Sequence, residues 1–258
     1  MRRIVLCLGI LLAWPLAGQA AKPAEPASIE FGAGAWVDVD ATGKAHVVEM
    51  DKLSRFKDDG ESGSIADIIK ARLRERIEAW EFQPPTKNGV AVSGKTHVDV
   101  RLQAYVAESG GMGLRVESAS TGMAVRKRSS YLPLTDELGL SNTWWINVHL
   151  KVGPEGRVVE ARIQDSSLFH GKGAITQVPP RVAKGIREMF EGYEFDTESV
   201  DGVPIAGEAI QPIMACTSIS ACNDNMAGMQ SDEQGEKSDL AVVDPAVRLR
   251  TAVAGTVL

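Results

Sequence analysis

The sequence predicts an α+β protein of two tandem small domains, each built from three strands and one helix, and three observations predict it. The chain repeats itself at a displacement of 113 residues: Gly43 falls on Gly156, Glu81-Phe82 on Glu194-Phe195, and Gly89-Val90 on Gly202-Val203. Each copy opens and closes with apolar residues at every second position and carries an apolar face of helical period between them. Turn residues recur at the same places in both. A shared hydrophobic skeleton at fixed spacing means two copies of one fold.

The repeat extends beyond those pairs. Ser54, Phe56 and Gly60 fall on Ser167, Phe169 and Gly173, and Arg74-Glu75 falls on Arg187-Glu188. Where residues differ, character is kept, as in Ile69/Val182, Leu73/Ile186, Ile77/Phe190 and Trp80/Tyr193. In the first copy Trp36-Val37-Asp38-Val39-Asp40 alternates as a half-buried strand does. Thr42-Gly43-Lys44 supplies a turn, and residues 45–50 return as the second arm of a hairpin. A polar loop over 51–63 leads to Ser64, a candidate N-cap with Asp67 three residues on. Ile65, Ile69, Leu73, Ile77 and Trp80 then make one apolar helical face over residues 65–80, with Lys70, Arg72, Arg74 and Glu75 facing elsewhere. Pro84-Pro85 ends the helix, Asn88-Gly89 turns, and Val98, Val100 and Leu102 alternate with polar residues in a closing strand.

The second copy follows the same plan. A strand is expected over 145–152, a turn at Gly153-Pro154-Glu155-Gly156, a return over 157–163 and a helix over 180–193. Proline suits the first turn of that helix. Val182, Ile186, Phe190 and Tyr193 form its apolar face. Asp201-Gly202 turns, and residues 203–214 close the copy. The first copy therefore spans 29–103 and the second 143–216. Residues 104–142 connect them, and within that connection residues 114–117 and 123–128 read as a candidate hairpin around 118–122. Residues 217–258 form a tail: 223–238 are acidic, polar and expected to be disordered, while 240–258 are apolar and suited to docking on this protein or on a partner.

The N-terminus reads as a secretion signal. Arg2 and Arg3 precede an apolar run over 4–14, Pro15 breaks it, and Ala17, Gly18 and Ala20 prepare cleavage after Ala20. The run is short for a membrane span. Losing Arg2 and Arg3 with residues 1–20 takes the formal charge from −6 to −8. So acidic a chain is not expected to bind nucleic acid or anionic lipid. Cys7 leaves with the signal. Cys216 and Cys222 remain, and in an exported protein an isolated pair this close is expected to form a disulfide. A metal or redox pair is the weaker alternative, because the spacing is not Cys-x-x-Cys and no histidine lies nearby.

Other chemistry finds little support. His46, His97, His149 and His170 do not sit at helical ligand spacing, although His46 and His97 are expected as neighbours on adjacent strands. A hydrolase elbow is absent from the sequence, and P-loop and Ser-x-x-Lys chemistry is not expected, although residues 89–96 and 54–57 match those two patterns by letter. Asp38/Asp40 and Asp58/Asp59 read as strand alternation and loop charge. Arg126-Lys127-Arg128 reads as a solvated patch, and Met226 and Met229 near Cys222 as coincidence rather than a soft-metal site. No cofactor, metal or small-molecule substrate is expected.

The stretch Trp80-Glu81-Phe82-Gln83-Pro84-Pro85-Thr86-Lys87-Asn88-Gly89-Val90-Ala91-Val92 resembles the signature of the TonB C-terminal domain family. Tyr193-Glu194-Phe195 and Asp201-Gly202-Val203-Pro204-Ile205 repeat the resemblance. It implies a three-stranded antiparallel sheet with one helix packed on it, in each copy. Trp80, Phe82, Tyr193 and Phe195 would fill the helix–sheet interface, while Asn88, Gly89, Asp201 and Gly202 would make turns. It also implies capture of a short peptide as an added strand. Such transducers carry serine and histidine in a membrane helix, and residues 4–14 carry neither. The expectation is an exported periplasmic protein that binds an envelope protein or peptide segment without transducing energy. The alternatives are an accessory to TonB-dependent transport, held at the membrane by an uncleaved N-terminus, and an enzyme with a site between the copies. The closing strand around Val98, Val100 and Leu102 is the expected peptide-binding edge, unless the insert, the tail or the other domain covers it. Its counterpart near Ile213 leads into the Cys216–Cys222 loop and is expected to be less open.

Overall fold

The computed structural model describes residues 28–53, 65–107, 110–128, 144–168, 180–215 and 240–258. The signal segment with its cleavage point, the Ser64 cap, Asp58/Asp59, His170, Cys216, Cys222, Met226, Met229 and the acidic stretch 223–238 lie outside the described residues.

Strand β1 (Ile29–Val39) pairs antiparallel with β2 (Ala45–Met50). The turn between them closes on Asp40, whose Oδ1 accepts from the backbone N–H of Thr42 at 2.8 Å and of Lys44 at 3.1 Å. Gly43 sits in that turn at φ +89°, and a Cβ there would lie 2.2 Å from the carbonyl oxygen of Phe82. Only glycine fits so close an approach of two backbones. Helix α1 (Ile65–Glu78) buries Ala66, Ile69, Leu73 and Ile77, while Ile65 is exposed. Then come β3 (Phe82–Gln83), the small hairpin β4 (Thr86–Lys87) and β5 (Val90–Ala91), and the long β6 (Gly94–Val106). The connection supplies β7 (Met112–Gly122) and β8 (Ala124–Lys127).

The second copy runs β9 (Trp144–Val152), β10 (Val158–Leu168), helix α2 (Pro180–Glu191), β11 (Glu194–Asp196), β12 (Ser199–Val200), β13 (Val203–Pro204) and β14 (Gly207–Ala215). The C-terminal segment adds β15 (Ala241–Val243) and β16 (Arg248–Leu249). Local geometry follows the displacement of the sequence. Phe82 N–H donates to the Gly43 carbonyl at 3.1 Å, and Phe195 N–H to that of Gly156 at 2.9 Å. Asn88 and Asp201 both turn with positive φ, 54° and 55°. Trp80 N–H donates to Ile77 O at 3.1 Å, Tyr193 N–H to Phe190 O at 3.0 Å.

The predicted fold class needs correction. The structure is mostly β, 56% strand and 15% helical, and it is organised around a large curled antiparallel sheet rather than two three-stranded sheets each carrying a helix. That sheet has six strands in the order β13-β12-β6-β1-β2, with β7 also on β6. A second sheet runs β10-β9-β14-β15. Three additions build these sheets out. The connection does not fold back on itself: all of β7 pairs with β6, from Val106↔Met112 to His97↔Gly122, and β8 pairs with β11 of the second copy. The hairpin β12–β13 joins the first copy's sheet through Ser199↔Lys95 and Val200↔Gly94, whereas among the described residues its counterpart β4–β5 pairs only within itself. The C-terminal segment places β15 on β14 and β16 on β3. A small sheet offers apolar surface and unpaired backbone along its edges, and this chain covers much of both with its own segments.

Two cores result. The first joins β1, β2, β6, β7 and α1 with Trp80, Phe82 and, from the C-terminal segment, Val247 and Val253. The second joins β9 and α2 with Tyr193, Phe195, Ala209 and Met123. All four motif aromatics are buried, so their work is packing. Among the described residues no helix is long and apolar enough to cross a membrane.

Candidate functional site

The strand expected to capture a peptide is closed. Val98, Val100 and Leu102 are wholly buried in the middle of the six-stranded sheet. On one side they face Ala35, Ala33 and Phe31 of β1, and on the other Thr121, Ala119 and Val116 of β7. Both hydrogen-bonding directions of β6 are therefore filled, the second by the insert. On β14, β15 covers residues 208–210, and Ile213 packs against the second core.

The other strand edges differ between the copies. In the first, Val37 pairs with Val47, and the Val47 backbone groups point away from β1 to the outer edge of β2. Two side chains one turn apart on α1 meet them. Val47 N–H donates to Glu78 Oε1 at 3.0 Å, and an Arg74 guanidinium nitrogen donates to Val47 O at 2.7 Å. The arginine and glutamate stand in for a neighbouring strand at that point. Glu78 also lies 3.2 Å from the His46 ring.

The second copy has the same two residue types in the same places, Arg187 and Glu191, yet no such clasp. Among the described residues neither side chain has a hydrogen-bond or ion-pair partner. The register explains the difference. A bulge between Val158 and Glu160 slips the strand, so Ala161 rather than Glu160 stands opposite Leu150. In the first copy the comparable irregularity comes after Val47 rather than before it. A one-residue slip exchanges the faces of a strand and the backbone groups it turns outward. Ala161 thus takes the ladder place of Val47, with its N–H and C=O directed to the open edge, and Glu160 turns away to Lys151 at 3.0 Å and to Arg162. Hydrogen bonds from Lys151 and Arg162 hold the Glu160 carboxyl below the usual carboxylate range.

Between the edge of β10 and α2 runs an open groove of about 840 Å³. Its apolar wall is made by Ala161 and Ile163 of the strand with Ala183 and Ile186 of the helix, and Arg187 and Glu191 line it as well. Among the described residues, β10 pairs along its eleven residues with β9 alone. The groove thus combines outward N–H and C=O groups of the strand, an apolar wall, and one donor and one acceptor on the helix above.

The remaining candidates have structural work. His46 and His97 are separated by β1, not adjacent as expected. His97 bonds Asp51 at 2.8 Å and packs edge-on against Trp36, while His149 lies 2.9 Å from Glu208. The basic patch is an ion-pair cluster: Arg126 and Arg157 reach Glu194 at 2.9 and 3.0 Å. Partial burial pushes the Glu194 carboxyl up, but the Arg126 hydrogen bond and the charges of Arg157, Lys127 and Arg126 together hold it low. A second groove, where the copies meet, is lined by Asp40, His46, Glu78, Ser93 and Lys95. Two of its three carboxylates are already engaged, Asp40 by its turn and Glu78 by Val47 and His46, and the third, Asp38, is exposed on β1.

Two functional features escaped the sequence reading. The Arg74/Glu78 and Arg187/Glu191 pairs were signalled by their identity at the repeat spacing. Glu198, buried against the C-terminal segment, was signalled only as a glutamate where the first copy has Pro85. Comparison with known proteins finds no family model, no characterised protein and no solved structure that matches this chain.

Proposed function

We propose that this chain is an exported, non-enzymatic binding module of the bacterial cell envelope that captures an extended protein segment as an added strand on β10. The observation that carries this reading is the edge of β10 around Ala161 and Ile163, which lacks a strand neighbour among the described residues and borders a groove. Strand addition supplies affinity through main-chain hydrogen bonds, and the groove wall supplies selectivity for alternate side chains. The signal-like N-terminus supports action in the periplasm, and the resemblance of the Trp80-Glu81-Phe82 and Tyr193-Glu194-Phe195 stretches to the TonB C-terminal domain family supports strand capture. Energy transduction is not part of the reading.

Photo-crosslinking tests it. Benzoylphenylalanine in place of Val159, an exposed residue lining the groove, should yield a discrete adduct in envelope extracts. Ala161→Pro removes an N–H directed to the edge rather than to β9, so the protein should fold and the adduct should disappear. An adduct that persists in folded Ala161→Pro would place the interface elsewhere.

A further inference from the structure

Resting on the strand-capture reading, we propose that Arg187 and Glu191 are a backbone clamp for the incoming segment, and that this segment is an extended peptide with small apolar residues facing α2 and a basic residue on its opposite face. The first copy shows what an arginine and a glutamate at this spacing hold. Arg74 takes one carbonyl and Glu78 one N–H, both of Val47. The ligand of the pair is thus the two backbone groups of a single residue in extended conformation. In the second copy the bulge at Val159 has withdrawn that residue from the pair, and Arg187 and Glu191 line the groove instead. A strand laid along β10 brings backbone groups of the same kind beneath them.

The side-chain chemistry follows from the walls. Residues of the added strand that face α2 meet Ala183 and Ile186 over Ala161 and Ile163, which favours small apolar side chains. Residues on the other face lie beside Glu160 and Asp165. Glu160 is already matched by Lys151 and Arg162. Asp165 accepts from the Asn147 amide at 2.8 Å but has no cationic partner among the described residues. The protein as a whole carries −6. Charge complementarity therefore selects a lysine or arginine opposite Asp165.

The test uses the full chain and a fluorescein-labelled peptide Ser-Val-Lys-Val-Thr-Val-Ser, read by polarisation. Saturable binding is expected. Arg187→Ala and Glu191→Ala, both at exposed positions, should each weaken it by about tenfold through loss of a charge-assisted bond. Exchanging the peptide lysine for glutamate should weaken it too, and Ala161→Pro should abolish it. Should Ala161→Pro abolish binding while both helix variants bind like wild type, the clamp is refuted and strand capture stands. Unchanged affinity of the glutamate peptide would refute the charge preference. Absence of saturable binding by the folded wild type, or full binding by Ala161→Pro, overturns strand capture at this groove and the clamp with it.

Discussion

Trp80→Ala should destabilise the protein by about 3–5 kcal/mol, the range for emptying a large aromatic site in a core. Trp80 follows the last turn of α1, with its N–H on the Ile77 carbonyl, and its side chain is 4% exposed. It belongs to the same core as Leu73, Ile77, Phe82 and the β6 residues. Neighbouring backbone on α1 and β3 is fixed by the sheet and cannot collapse into the vacated space, so a cavity term adds to the lost transfer energy. Asn88→Ala, on the exposed hairpin, forfeits only its tolerance of positive φ, about 1 kcal/mol. Urea melts of the two variants compare them. The full chain is required, because Val247 and Val253 complete this core and a fragment ending near residue 104 lacks them. A near-neutral Trp80→Ala would contradict the packing role.

Glu198→Ala should cost about 2–4 kcal/mol by untying the C-terminal segment. The buried carboxylate accepts from the Thr96 hydroxyl at 2.8 Å and from the N–H groups of Ala246 at 2.9 Å and Val247 at 3.3 Å. One side chain of the second copy thus joins β6 to the segment carrying Val247. Alanine leaves the buried Val247 N–H and the half-buried Ala246 N–H without an acceptor, while the Thr96 hydroxyl keeps only the longer contacts to the His97 and Gly122 carbonyls at 3.4 Å, and each orphaned group carries its desolvation cost. The pH dependence has a definite sign. Burial pushes the Glu198 carboxyl up, the three donors oppose this without cancelling it, and the charge of Asp244 adds to the rise. A carboxyl whose folded pKa lies above its unfolded one binds its proton more tightly in the folded state. Its contribution is fullest below the unfolded pKa and declines as pH rises through the folded pKa. The stability of wild type relative to Glu198→Gln should therefore fall over the pH interval that begins at the unfolded carboxyl's pKa of about 4 and rises from there. Thermal melts across that interval give the answer, and a difference that stays flat or rises would contradict it.

The sequence made faces and turns legible but not neighbours. The spacing of Ile69, Leu73 and Ile77 marked the buried side of α1, and Gly43, Gly156, Asn88-Gly89 and Asp201-Gly202 marked their turns. Alternation at Val98, Val100 and Leu102 correctly said that these side chains point inward. Nothing in a period of two says which strand lies alongside, so the same pattern fits an edge strand and an interior one. That is why the pattern suggests an edge at β6 and a separate hairpin of residues 114–117 with 123–128, where the structure has β7 paired along β6. The slip at Val159 was hidden for a related reason. Val158 and Val159 are both apolar, and either can be read as the inward one. Helical period alone does not single out Arg187 and Glu191, because the meaning of the pair lies in its distance from a strand edge.

Backbone amide exchange at Val47 and Ala161 in the free protein tests the central claim most directly, that one sheet edge is clasped and its repeat counterpart is open. The two amides hold the same ladder place in the two copies, and only Val47 has a carboxylate acceptor, Glu78. The account predicts slow exchange at Val47, fast exchange at Ala161, and slowing at Ala161 when the peptide Ser-Val-Lys-Val-Thr-Val-Ser is added. Equal protection of Ala161 and Val47 in the free chain would show that the β10 edge is already occupied, and would contradict it.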